Sequence, residues 1–89
     1  MFVYVLKLEQ DKYYIGITGD ENRINSNFNS TGSSWTKKYK PVTIIEKINN
    51  ADKLIEKNTT LKYMKQYGWK NVRGAGWTAI EIYCPKELR

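Results

Sequence analysis

The chain has no histidine and only one cysteine, Cys84. Those absences exclude a catalytic Cys–His pair, a Ser–His relay and zinc sites built from His and Cys. A lone cysteine cannot form an internal disulfide, and Cys84 reads as a small buried or edge residue. No apolar run approaches the ~20 residues needed to span a bilayer. The opening Met-Phe-Val-Tyr-Val-Leu lacks a basic leader and a small-residue cleavage site, so no secretory signal is expected. The expectation is an intracellular protein, cytoplasmic or nuclear, without a membrane partner. Internal repeats, low-complexity tracts and linkers are also missing.

What is present is an excess of positive charge. The 89 residues carry 15 Lys plus Arg against 9 Asp plus Glu, a formal charge of +6. That balance suits an anionic partner, nucleic acid first, but it equally suits a lysine-rich solvated surface. The length fits a single domain over residues 1–89, with no room for a second core.

Periodicity gives the layout. Residues 2–8 are rich in Val, Leu, Phe and Tyr and predict a strand. A polar turn at Glu9-Gln10-Asp11-Lys12 leads to a second strand over residues 13–18, so the pair predicts a hairpin. Asp20 can cap a following helix, whose Ile24 and Phe28 lie one turn apart. Residues 30–34 form a loop before the basic and aromatic segment Trp35-Thr36-Lys37-Lys38-Tyr39-Lys40-Pro41. Residues 42–48 predict a third strand. Asn49 or Asn50 is expected to cap a long helix from Ala51 to Tyr67, with Leu54, Ile55, Leu61 and Met64 as its apolar stripe and Gly68 as its stop. Residues 69–76 look irregular, and Trp77 to Tyr83 predicts a final strand. The order β-β-α-β-α-(β) implies an α+β domain: a small, mostly antiparallel sheet of three to four strands flanked by helices.

Seven tyrosines are present, two of them in the hairpin, Tyr4 and Tyr14. Taken alone, both are ordinary half-buried strand aromatics. On the long helix Glu56 stands at the edge of the apolar stripe, where it can face a cleft, and its flank continues with the uncharged Thr60 and Tyr63.

In combination these residues resemble the GIY-YIG nuclease superfamily. Val3-Tyr4-Val5-Leu6 stands at the first signature strand with the tyrosine kept. Tyr14-Ile15-Gly16 matches the second signature, followed by Thr18. Arg23 matches the helix arginine, with a gap one residue shorter than usual. Glu56 stands at the metal-binding glutamate and Asn71 at the following asparagine. Gly32-Ser33-Ser34-Trp35-Thr36-Lys37-Lys38 and Asn71-Val72-Arg73-Gly74-Ala75 are similar to one branch of the family, as are Tyr63-Met64 and Tyr67-Gly68. The likeness spans residues 2 to 78. One departure is Asn27, where the family carries histidine or tyrosine. It shares a helix face with Arg23 and can touch substrate, but an amide does not shuttle protons. Proton transfer then falls to Tyr4 and Tyr14, or activity is reduced or lost.

The resemblance implies a metal-dependent endonuclease that hydrolyses DNA phosphodiester bonds. Glu56 would hold one divalent ion, Mg²⁺ or Mn²⁺, through hard oxygen ligands. Tyr4 would act as general base, Tyr14 would orient water or phosphate, Arg23 would stabilise phosphoryl charge and Asn71 would support the site. Asn27, Trp35, Lys37, Lys38, Lys40 and Arg73 would contact nucleic acid, with Trp35 stacking on a base or packing in the core. The implied partner is DNA, branched or structured forms included, with recognition left to DNA shape or to a protein specificity factor. The rivals are a non-catalytic nucleic-acid-binding module that uses Trp35–Lys40, and an interaction domain with no DNA affinity. The nuclease arrangement also needs Tyr4 and Tyr14 on one face, which requires a three-residue turn or a bulge between Leu8 and Tyr13.

Overall fold

The structure, a computed structural model, describes residues 1–29 and 33–89, with side chains described for 1–25 and 33–89. Strands β1 (Phe2–Leu8) and β2 (Lys12–Thr18) form an antiparallel hairpin. Their β-branched and aromatic residues favour a pleated, buried surface. Glu9–Asp11 close it as a three-residue 3₁₀ turn, with Gln10 and Asp11 at φ of 61° and 57°. That odd count sets the register Leu8↔Lys12, Leu6↔Tyr14 and Tyr4↔Gly16. Side chains alternate along a strand, so Tyr4 and Tyr14 share a face. The hairpin thus has the turn that the tyrosine pair requires.

β1 is central and buried on both sides. Val3 and Val5 join Tyr13, Ile15, Tyr63, Met64 and Val72 in one core cluster. Tyr4, Leu6 and Leu8 join Ile24 and Trp35 in the other. Helix α3 (Lys53–Tyr67) supplies the cover of the first cluster. Helices α1 (Asn22–Asn29) and α2 (Ser34–Lys38) supply that of the second. Ile24 is buried as expected; the side chain of Phe28 lies outside the described residues, as do residues 30–32 of the expected loop. Helix α2 was not foreseen. It begins where the Ser33 hydroxyl accepts the Trp35 N–H at 3.2 Å, a side-chain cap on a segment whose sequence shows no helical period.

Strand β3 (Pro41–Ile48) pairs antiparallel with the free side of β1. The register slips twice, leaving Val42 and Ile45 as extra residues opposite the β1 ladder. Strand β4 (Val72–Gly74) pairs parallel with β2, so the sheet order is β3-β1-β2-β4. This corrects two expectations. Residues 72–74, expected to be irregular, form the fourth strand, and it makes the sheet mixed. Trp77 to Tyr83 is not a strand; only Trp77 bridges back to Gly74, with reciprocal 2.9 Å backbone hydrogen bonds. Gly74 is required at its place. Its φ is 153°, and a Cβ there would stand 2.6 Å from the Ile15 carbonyl oxygen and 2.9 Å from Thr60 Oγ1.

Helix α3 starts two residues later than expected. Its cap is Asp52, which accepts the Ile55 N–H at 2.9 Å, while Asn50 takes a left-handed φ of 54°. Gly68 ends it, its N–H donating to the Met64 carbonyl. The buried face is Thr59, Thr60, Tyr63 and Met64, whereas Leu54 is 64% exposed. Of the expected stripe only Leu54 turns away; Ile55, Leu61 and Met64 pack on the core and tyrosines extend it, Tyr13, Tyr63 and Tyr67 packing mutually with the rings of Tyr13 and Tyr67 stacked at 4.3 Å. Buried Thr60 satisfies its hydroxyl by donating to the Glu56 carbonyl at 2.7 Å. Among the described residues, no helix is long and apolar enough to cross a membrane.

Candidate active site

Tyr4 is only 2% exposed, and its ring lies directly across its partner strand at Gly16. A Cβ at position 16 would stand 2.3 Å from both Cζ and Oη of Tyr4. Glycine is therefore what lets the phenol reach over β2, and Tyr-x-Gly on one strand is bound to the tyrosine on the other. Gly16→Ala is expected to swing Tyr4 aside and lower stability by about 1–3 kcal/mol, the usual cost of overpacking. Gly19→Ala is the control, because nothing lies within 4 Å of a Cβ there. Equal melting temperatures for the two variants would refute this packing.

Tyr14 is half-buried and packs on the same cluster. Burial, then the neighbouring Tyr4, then the charge of Glu56 push its phenol up to about 12. At neutral pH Tyr14 is a neutral hydrogen-bond donor and not a base. Because the folded value exceeds the unfolded ~10, the stability it carries is complete below pH 10 and is lost as pH rises towards 12. Tyr14→Phe is expected to flatten part of the alkaline fall in melting temperature between pH 10 and 12. The remaining fall belongs to Tyr13 and Tyr63, which burial also raises. An unchanged slope in Tyr14→Phe would count against a buried neutral phenol.

Glu56 approaches from the opposite layer. It shares a helical flank with Thr60, Tyr63 and Tyr67, the flank that α3 turns to the sheet. β4 ends at Gly74 opposite Ile15, so beyond that point the outer edge of β2 has no ladder partner among the described residues. The half-buried carboxylate of Glu56 raises the pKa of the Tyr14 phenol through its charge. Burial raises Glu56 above the usual carboxylate range, and Lys53 partly opposes that. A carboxylate short of solvation gains from a cation beside it.

Arg23 sits on α1 next to Ile24, which packs in the cluster of Tyr4. Its side chain is exposed and makes no ion pair among the described residues. The side chain of Asn27 lies outside the described residues. Asn71 does not join this group. Its carbonyl oxygen accepts from Lys12 Nζ at 2.7 Å and its amide donates to the Tyr67 carbonyl at 2.8 Å. It ties the end of α3 to the turn end of the hairpin.

Two expected nucleic-acid contacts are corrected. Trp35 is 2% exposed, and its indole N–H donates to the Tyr13 carbonyl at 2.9 Å. It is a core residue. Arg73 is 3% exposed and donates to the carbonyls of Val72, Trp69, Lys70, Ala79 and Ile80. Its guanidinium also lies 4.2 Å from the centre of the Trp35 ring, and burial lowers its pKa. Buried and bound to five carbonyls, the Arg73 fork is committed to the fold and not to phosphate. Lys37, Lys38 and Lys40 are exposed as expected. Lys12, Tyr39, Trp69 and Lys70 were passed over. The alternation that puts Tyr14 on one face also puts Lys12 there, and that signal was available in the sequence.

Among the described residues, no group of three or more His, Cys, Asp or Glu could enclose a metal. A cation here would have one protein carboxylate and fill its other positions with water and phosphate oxygens. Mg²⁺ tolerates that donor set, since it keeps several waters and binds through one or two carboxylates plus substrate phosphate. No protein-family model, curated protein or solved structure matches this chain.

Proposed function

We propose that the chain is a divalent-metal-dependent endonuclease that hydrolyses DNA phosphodiester bonds. The supporting observation is that the two hairpin phenols share one face of β1 and β2 and that the charge of Glu56 bears on the Tyr14 phenol. Glu56 would hold Mg²⁺ or Mn²⁺, and the bound ion would neutralise charge on the phosphate and the leaving oxygen. Tyr4 accepts a proton from the attacking water, whose oxygen forms the new P–O bond as the bridging P–O bond breaks. A free phenol is a weak base at neutral pH, so Tyr4 depends on nearby positive charge to release its own proton first. Tyr14 stays protonated and donates to the water or a phosphate oxygen. Arg23, exposed and without an ion pair among the described residues, can clamp the phosphoryl oxygens with its planar fork. Lys37, Lys38 and Lys40 hold the backbone, making affinity fall steeply with salt.

The test is cleavage of labelled plain and branched DNA with Mg²⁺ or Mn²⁺, and with EDTA as control. Metal-dependent cutting supports the proposal. Salt-dependent binding with no cutting under either ion overturns it in favour of a binding module.

A further inference from the structure

A cleft of about 370 Å³ opens at the β4 edge, with Lys38, Tyr39, Trp69, Lys70 and Glu81 around it. Its floor is the buried pair Trp35 and Arg73. Both aromatic walls are fixed from behind. Trp35 meets Tyr39 edge-on at 4.8 Å, and Arg73 Nη1 holds the Trp69 carbonyl at 2.9 Å.

Ammonium groups lie over both half-buried walls. Lys12 and Lys38 lie 5.3 and 5.5 Å from the centre of the Tyr39 ring, and Lys70 lies 5.6 Å from that of Trp69. An exposed cation–π contact is weaker than a nucleobase stacked on an aromatic ring. A base can therefore displace Lys38 and Lys70, whose flexible stems leave them beside the phosphates that enter with it, while Lys12 stays tied to Asn71 Oδ1. Two lysines on the lining, Lys38 and Lys70, against the single carboxylate of Glu81 suit an anionic strand.

The placement suits the same strand that reaches the tyrosines. Lys12 is two residues from Tyr14 on the same face, roughly 7 Å along β2 at strand spacing. That separation is one or two nucleotide steps, at about 3.4 Å per step in a duplex. Only a base free of its own stack offers its faces to the walls.

We propose that this cleft receives an unpaired nucleotide adjoining the phosphate to be cut, so that the protein favours single-stranded or splayed DNA over plain duplex. The location beside the scissile phosphate rests on the nuclease proposal; the binding itself does not.

The test is equilibrium binding in EDTA, where no cutting occurs, using a single-stranded oligonucleotide, a flapped duplex and a blunt duplex. The parent should bind the first two more tightly than the third. Trp69→Ala should weaken the first two about tenfold, the scale of one lost stacking contact, and Trp69→Phe should restore most of it. Equal losses on all three DNAs, or none, overturn the cleft. A second measurement needs no variant: titration of the ¹⁵N-labelled parent with single-stranded oligothymidylate should move the Trp69 indole signal and leave that of Trp77. No movement at Trp69 overturns the proposal. A parent that shows the Trp69 dependence yet never cuts with Mg²⁺ or Mn²⁺ removes the nuclease proposal and leaves this one. Cutting without the Trp69 dependence does the reverse.

Discussion

Glu56→Ala is expected to lower metal-dependent DNA cleavage at least about 100-fold while the protein stays folded and still binds DNA in EDTA. One cation ligated by one carboxylate would have little reserve, since no group of three or more His, Cys, Asp or Glu that could hold a metal is found among the described residues. Stabilising phosphoryl charge is worth several kcal/mol, and about 2.7 kcal/mol already corresponds to 100-fold in rate. The fold should not suffer. The recorded bonds of Glu56 to Asp52 and Thr60 are through its backbone, which alanine keeps. Its carboxylate is partly desolvated, so its removal relieves a cost and the melting temperature should hold or rise. Cleavage and a thermal melt on the same preparation decide the matter. Retained cutting in Glu56→Ala, or a loss that merely follows unfolding, would dismiss Glu56 as the metal ligand.

Arg73→Leu is expected to produce the largest loss of stability, about 3 kcal/mol or more. The guanidinium spreads its donors over five carbonyls from two segments, residues 69–72 and residues 79 and 80. Leucine leaves buried acceptors such as Val72 O without a partner and unties the C-terminal coil from β4. For a domain of this size, each kcal/mol moves the melting temperature by roughly 4–8 °C, so a drop of roughly 12–24 °C is expected. Arg73→Lys should recover little, because a single ammonium cannot reproduce a planar fork. If Arg73→Leu melted within a few degrees of the parent, the carbonyl cage would not hold the fold together.

The sequence carried the hairpin well, because alternation and a turn of known length are both local. Requiring Tyr4 and Tyr14 on one face called for a three-residue turn or a bulge, and the hairpin has the turn. The uncharged flank of Glu56, Thr60 and Tyr63 on α3 was legible for a similar reason. For Trp35 the core alternative is the one the structure bears out, whereas Arg73 was misread because its letter is that of a phosphate clamp. Only the path of residues 77–80 reveals that Arg73 faces inward. β4 went unseen because three residues, Val72–Gly74, show no period, and the case for a strand there is the close fit of Gly74 against Ile15 and Thr60. Trp77 to Tyr83 drew a strand assignment from its apolar letters, yet Tyr83 is 90% exposed.

The paired slips in β3 have a consequence for behaviour at high concentration. Val42, Ile44 and Ile45 stand open to solvent on the outermost strand. A straight run of such residues would recruit a second copy and seed fibrils. Extra residues at Val42 and Ile45 break the even spacing of amides and carbonyls that such recruitment needs. The two slips thus work against edge-on addition of a second copy at this rim, and deleting Ile45 would remove one of them.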